Sequence, residues 1–230
     1  MGERLAKQGA ISILYDDSMD QPPSVDWFRP DWWLERGRVM DELGGRGQAV
    51  GVMLAEGPAV LRRFRRGGLI AKLSADRFLG LRAEASRAFR EYRVLAFLKA
   101  QSLPVPEPLA ASFEPAGPFY RAALLMRRIA GARQLAVLAP GLERRDWAQL
   151  NETLARFFSV GLRHPDLNAR NIVRDATGQW YLLDFDRASI RSDGINEAGM
   201  RRRLARSLVK TAQPGWEGGF FATVGAKSGR

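Results

Sequence analysis

The stretch 164-HPDLNARNIVRDATGQWYLLDFDRA-188 places four carboxylates, two asparagines and the chain's only histidine in one short span. Its first part reads as a loop, and 171-NIVRD-175 and 179-QWYLLDF-185 read as two short strands around a Thr-Gly turn. Asp and Asn are ordinary turn residues, so a solvated polar hairpin with an Asx turn is one reading. The spacing supports another. Asp166 precedes the hairpin, Asn171 opens it and Asp184 closes it, so one metal ion can face both of its ends. A carboxylate at Asp166 can accept a hydrogen bond from a substrate hydroxyl and align it for in-line attack. Asn171 and Asp184 offer the hard oxygen atoms that magnesium takes. His164 is expected to brace the loop by hydrogen bonding rather than to react.

Upstream of this stretch, 143-ERRDWAQLNETLARFFSV-160 reads as a helix with Trp147, Leu150, Leu154 and Phe157 at core spacing and Gly161 as its stop. Another helix is expected over 83-AEASRAFREYRVLAFLKAQ-101, with Ala85, Ala88, Phe89, Tyr92 and Leu95 on its apolar face. The prolines of 103-LPVPEPL-109 force extended chain after it. The segment 46-RGQAVGVMLAEGPAVLRRFRRGG-68 reads as two strands about a Glu-Gly-Pro turn, and 119-FYRAALLM-126 as a further strand. A last helix fits 196-NEAGMRRRLARSLVKT-211. Strands come first and helices dominate later, the order of an α+β chain.

Composition narrows the function. The 230 residues suffice for one large domain or two small lobes, and the chain is 46% hydrophobic and 27% charged, as globular proteins are. With no cysteine, disulfides and Cys-ligated metals are excluded, and a reducing compartment fits. The N-terminal residues lack an apolar run with a small-residue cleavage site, so no secretory signal is expected. No apolar stretch approaches the roughly 20 residues that span a bilayer. The formal charge of +11 draws the protein toward nucleotides, polyanions or an anionic membrane face; an Arg-rich composition without functional meaning is the alternative. No zinc finger, aromatic RNP pattern or helix-turn-helix is present, so no nucleic-acid partner is expected. No protein partner is inferred.

Phosphoryl transfer from ATP needs a group that orients the hydroxyl, oxygen ligands for magnesium, and cations on the phosphates. His164-x-Asp166, followed after four residues by Asn171, is similar to the protein-kinase catalytic loop H-x-D-x-x-x-x-N, and Asp184-Phe185-Asp186 stands where those enzymes carry D-F-G. The chain thus resembles the protein-kinase-like superfamily. More narrowly it resembles the bacterial 3-deoxy-D-manno-octulosonic acid (Kdo) kinases of lipopolysaccharide assembly, through 44-GGRG-47, 61-LRRFRRGGLIAKLSADRFLG-80, 87-RAFREYRVL-95, 103-LPVPEPLAA-111, 164-HPDLNARNI-172 and 182-LLDFDRA-188. The resemblance implies a two-lobed kinase-like fold, with an antiparallel-sheet N-lobe over 1–126 and an abbreviated helical C-lobe over 127–230. It implies ATP and magnesium as cofactors and the 4-hydroxyl of Kdo on a lipid A precursor as acceptor. It also implies peripheral attachment to the anionic cytoplasmic face of the inner membrane.

Several positions depart from the protein-kinase pattern. Pro165 stands where many carry Arg, Asn168 where Ser/Thr kinases carry Lys, and Asp186 where D-F-G has Gly. No A-P-E follows, and 46 residues remain after Asp184, too few for a full C-lobe. A small or lipid-linked hydroxyl therefore suits better than a protein substrate. Gly44, Gly45 and Gly47 either turn over phosphates with their backbone N–H groups or simply form a hairpin turn.

The strand lysine of V-A-I-K is missing, and Arg62 takes its place on the face shared by Val60 and Phe64; Arg63 and Lys72 compete for the role. The carboxylate partner is expected to be Glu91, with Glu84 seven residues earlier on the same helical stripe. Adenine is expected against the apolar segment ending at Met126, between the lobes. Arg65, Arg66, Lys72 and Arg77 form either a basic mouth for the acceptor or a solvated face. The aromatic segment 25-VDWFRPDWWLERG-37 either meets a membrane interface or packs on the N-lobe. The basic residues Arg201, Arg202, Arg203, Arg206 and Lys210 either add to membrane attraction or form a charged surface. Two rival functions keep the same fold: an aminoglycoside- or choline-type phosphotransferase, whose cationic substrates call for an acidic site, and a nucleotide-binding pseudokinase.

Overall fold

Period-2 alternation and well-placed turns give the first half of the chain its strands. The computed structural model describes residues 2–19, 22–43, 49–64, 78–80 and 82–211. It divides into two compact units, Met1–Ala100 with Pro106–Arg128, and Gln101–Val105 with Ile129–Arg230. Gly44, Gly45 and Gly47, and the basic residues Arg65, Arg66, Lys72 and Arg77, lie outside the described residues.

The first unit contains β1 (Glu3–Gln8), β2 (Ile11–Asp16), a 3-10 turn (Val25–Phe28), α1 (Pro30–Glu35), β3 (Val39–Leu43), β4 (Ala49–Leu54) and β5 (Gly57–Arg63). Then come β6 (Phe78–Leu79), α2 (Arg87–Ala100), β7 (Pro108–Ala116) and β8 (Phe119–Arg127). The strands form one antiparallel sheet in the order β1-β2-β7-β8-β5-β4-β3, with β6 added on β8. The β7–β8 hairpin turns at Gly117, whose φ of +63° suits a residue without Cβ. The expected β4–β5 hairpin is present, closing at Leu54 and Gly57. The β1–β2 hairpin, β3 and β7 go beyond the strands read from sequence: β7 is nearly all small or apolar because both its faces are covered, which hides the alternation.

The sheet's two faces bury different partners. Ile13, Tyr15, Val50, Val52, Ala59, Leu61, Ala123 and Leu125 point to one face, where they form a core with Phe28 and Trp33. Trp27 and Trp32 pack against this core, and the Trp33 indole donates to the Trp27 carbonyl at 2.8 Å. The aromatic segment therefore packs on the sheet of its own unit. The opposite parity, Val60, Arg62, Leu124 and Met126, faces the side on which α2 packs against β7 and β8.

Helix α2 begins at Arg87, later than the apolar pattern suggests. Buried Ser86 accepts from the Phe89 amide through its hydroxyl, so it caps the helix and leaves 83–85 as a separate 3-10 turn.

The second unit has β9 (Arg133–Gln134), α3 (Leu135–Leu138), α4 (Arg144–Ser159), β10 (Leu162–Arg163), β11 (Ile172–Arg174), β12 (Trp180–Leu182), β13 (Ser189–Ile190) and α5 (Glu197–Thr211). Glu143 and Asp146 form a capping box at the start of α4, whose Trp147, Leu150, Leu154 and Phe157 are fully buried. Burial of side chains this large stabilises by roughly 1.5–3 kcal/mol each. Asp146 also pairs with Arg174 of β11 at 3.0 Å, fixing the β11–β12 hairpin to α4. Among the described residues no helix is long and apolar enough to cross a membrane.

Candidate active site

In the first unit the sheet parity sends Arg62 toward α2, where its guanidinium meets Glu91 at 2.8 Å. Glu91 is 1% exposed and Arg62 24%, so the carboxylate is buried and the cation is partly exposed. Of the two helical candidates, Glu84 instead lies exposed in the 3-10 turn and pairs with Arg93. Arg63 has the opposite parity and lines a cavity beside Asp26 and Arg121, while Lys72 lies outside the described residues. Met126 is half-buried on β8, opposite Val60 and on the face that carries Arg62.

In the second unit the loop ahead of β11 is bound to itself and to its surroundings. The Asn168 side chain accepts from the amides of Arg170 and Asn171 at 2.9 and 3.2 Å and donates to the Asp166 carbonyl at 2.8 Å. Asn171 donates its side-chain N–H to the same carbonyl at 3.0 Å, which orients its amide oxygen away from the loop backbone. These bonds explain Asn168: at this position it holds the turn rather than supplying a cation. The Asp166 side chain is 38% exposed and stands 3.7 Å from the guanidinium of Arg187.

The β11–β12 register continues outward through a 2.8 Å bond from the Leu183 amide to the Asn171 carbonyl. This brings Asn171 beside Leu183, the residue before Asp184. Asp184 has φ +61°, one of two non-glycine residues among those described in the left-handed region. A non-glycine residue held there costs on the order of 1 kcal/mol, Asp less than most, and such residues cluster at functional sites. The strand therefore ends at Leu182, short of the 185 expected from sequence.

His164 is 1% exposed. Its Nε2 lies 3.1 Å from the Leu183 carbonyl, so Nε2 carries the proton, and its ring packs on Phe185. Burial pushes its pKa below the usual value, outweighing the Leu183 hydrogen bond and the charges of Asp184 and Asp166. A neutral, enclosed imidazole cannot shuttle protons with substrate. It ties the loop to the strand end, as expected.

Two further residues support the loop without any signal in the sequence spacing. Ser207 of α5 accepts from the Ala169 amide at 3.1 Å, and the Met200 sulfur accepts from the His164 amide at 3.2 Å. Both lie more than thirty residues downstream, so only tertiary packing joins them to the loop. Arg187 could have been noticed as the residue that ends D-F-D-R, but its reach to Asp166 follows from the turn closed by the Ala188 amide on the Phe185 carbonyl at 2.9 Å.

Among the described residues no group of three or more His, Cys, Asp and Glu could hold a metal ion by itself. Magnesium in phosphoryl-transfer sites takes only one or two carboxylates and completes its shell with water and phosphate oxygens. An oriented Asn171 amide oxygen and the Asp184 carboxylate, one residue beyond Asn171's strand partner Leu183, fit that ligand set.

Comparison with known proteins agrees with this geometry. Residues 30–216 match the lipopolysaccharide kinase (Kdo/WaaP) family. A protein of Stenotrophomonas maltophilia (strain R551-3) named 3-deoxy-D-manno-octulosonic acid kinase is 42% identical over 206 residues, covering 88% of this chain and 82% of its own length. Proteins with the same name from Xylella fastidiosa (strain M23) and Xanthomonas oryzae pv. oryzae (strain PXO99A) are each 41% identical over 206 residues, covering 89% and 88% of this chain and 82% of their own length. With the match extending over both units, the chain belongs to the lipopolysaccharide kinase (Kdo/WaaP) family.

Proposed function

We propose that the protein transfers the γ-phosphate of ATP to the 4-hydroxyl of a Kdo sugar on a lipid A precursor, at the cytoplasmic face of the inner membrane. The relatives' names support Kdo as the acceptor. The observation that carries the chemistry is the self-bonded loop that exposes Asp166 while pairing Asn171 with Leu183, the residue before the left-handed Asp184. The net charge of +11 suits an acceptor that carries a carboxylate and phosphates in an anionic membrane, and disfavours cationic alcohols.

In this reading the Asp166 carboxylate accepts a hydrogen bond from the acceptor hydroxyl and aligns its oxygen on the γ-phosphorus. As the P–O bond to the acceptor forms and the bond to the leaving ADP breaks, the hydroxyl proton passes toward Asp166. Asn171 and Asp184 would hold magnesium, which neutralises charge developing on the phosphates. Arg62, fixed by Glu91, binds phosphate oxygens, and its fork permits two parallel hydrogen bonds where a lysine offers a point charge. Met126 is the proposed adenine contact, and Gly44, Gly45 and Gly47 the proposed backbone cradle for phosphate. His164 takes no part in proton transfer and keeps the loop seated on the strand end.

The test is the mass of the product. Purified protein, ATP and magnesium should add one phosphate to a Kdo-bearing lipid A precursor and none to the precursor lacking Kdo. Phosphorylation independent of Kdo, or turnover on cationic alcohols alone, would refute the reading.

A further inference from the structure

Helix α5 does more than support the loop. Its Ser207 is bonded to the loop backbone and its Met200, Leu204 and Leu208 are buried, so its rotation about its own axis is fixed. That rotation places Arg203, Arg206 and Lys210, spaced i, i+3 and i+7, along a cavity of about 250 Å³ whose wall also includes Asp166 and Asn168. Arg203 and Arg206 also line a second cavity of about 360 Å³, next to Arg163, Pro165 and Arg202. Arg203 and Arg206 are thus shared by two hollows, each of which also takes in residues of the loop that carries Asp166.

Among the described residues none of Arg203, Arg206 and Lys210 has an ion-pair or hydrogen-bond partner for its side chain, whereas Arg201 on the same helix is held by Glu197 and Asn151. Like charges at i, i+3 and i, i+4 repel one another and weaken a helix. The arrangement is stabilised once an anion enters the cavity, and an anion there is within the same hollow as the group that orients the acceptor.

We infer that Arg203, Arg206 and Lys210 form the acceptor's anion subsite, holding a carboxylate or phosphate of the sugar lipid while its hydroxyl reaches Asp166. This rests on the proposed reaction and deepens it, because it says which surface selects an anionic acceptor. The guanidinium groups are suited to the planar carboxylate or the phosphate by their paired N–H donors. Pro165, which lines the adjoining hollow, leaves that wall to these helix-borne cations where many protein kinases place an arginine in the loop itself.

The experiment compares Arg203→Ser, Arg206→Ser and the Arg203→Ser/Arg206→Ser/Lys210→Ser combination with Arg145→Ser, which removes the same charge from the exposed start of α4. Acceptor binding is titrated without ATP, and KM is measured separately for acceptor and for ATP. Each guanidinium lost should weaken the acceptor about tenfold, in Kd and in acceptor KM, with ATP KM unmoved. Arg145→Ser should leave acceptor binding at the wild-type level.

Two acceptor analogues identify the anion: a methyl ester of the sugar carboxylate and a dephosphorylated lipid. The analogue lacking the bound group should bind wild type weakly and should be indifferent to the Arg203 and Arg206 substitutions. Equal losses on every analogue, equal losses in Arg145→Ser, or a loss that merely follows binding to plain phosphatidylglycerol vesicles would overturn the subsite. If no Kdo acceptor is phosphorylated at all, the proposed reaction fails; the titration then still decides the subsite, which stands if the α5 variants alone weaken binding of the anionic sugar lipid and falls if they do not.

Discussion

Replacing Arg62 separates what the Arg62–Glu91 pair does for stability from what it does for chemistry. Glu91 is 1% exposed and takes the guanidinium at 2.8 Å. Arg62→Met removes that contact from an enclosed carboxylate, and breaking a fully buried pair costs about 3–5 kcal/mol. Arg62 itself is 24% exposed, so water already reaches its outer side and the lower end, about 3 kcal/mol, applies. For a chain of this size that corresponds to a fall in Tm of about 6–12 °C.

The combination Arg62→Met/Glu91→Leu removes both charges and fills the space with apolar atoms, so its stability should return to within about 1 kcal/mol of wild type. Turnover should not return, because phosphate contacts of a guanidinium are worth roughly 10- to 100-fold in kcat/KM. Scanning calorimetry and steady-state kinetics on the three proteins make the comparison. Recovery of turnover in the double variant would refute the phosphate role of Arg62. A single variant as stable as wild type would refute the argument from burial.

Three more perturbations address the second unit. Asp166→Ala should lower kcat by about 10²- to 10⁴-fold with ATP affinity retained, as measured by nucleotide titration, because the side chain acts on the acceptor hydroxyl. Asp184→Ala and Asp184→Gly should both lose magnesium-dependent turnover. In denaturant melts the Gly variant should be the more stable of the two by about 1 kcal/mol, since only glycine holds φ +61° without strain, and equal midpoints would contradict that strain. Burial lowers the pKa of His164 in the folded protein, so below about 6.5 the unfolded chain takes up a proton that the folded one refuses. Stability should therefore be intact above that pH and fall as the pH drops below it; His164→Gln should flatten this slope below about pH 6.5, and an unchanged slope would assign the loss to other groups.

Much of the candidate site is legible in sequence because its parts are close along the chain. Loop, turn and hairpin run from His164 to Ala188, and the distance between Asn171 and Asp184 along that hairpin is set by two three-residue strands and one turn. The Arg62–Glu91 pair was readable for a different reason. Strand parity and helix periodicity each name a face, and both named faces carried one suitable charge beside a rival. Choosing Glu91 over Glu84 in the structure took the Ser86 cap, which ends the 3-10 turn and leaves Glu84 outside the helix.

The sequence by itself determined the chemistry available to this protein: an acidic loop, a hairpin with oxygen ligands at its ends, a strand cation and a basic surface. It also fixed the family, since the recognisable segments run through both units. Tertiary structure alone decided what surrounds those groups. The aromatic segment at Trp27, Phe28, Trp32 and Trp33 reads from sequence only as a cluster of rings, and it was the sheet that supplied a face of Val, Leu and Ile side chains for it to pack on. The basic run of α5 takes its place from Ser207 and Met200, which dock the helix on the loop and set Arg203, Arg206 and Lys210 on the wall of a cavity that also includes Asp166. Periodicity gives the face on which a side chain lies, but the partner of that face is chosen by packing between segments far apart in the chain.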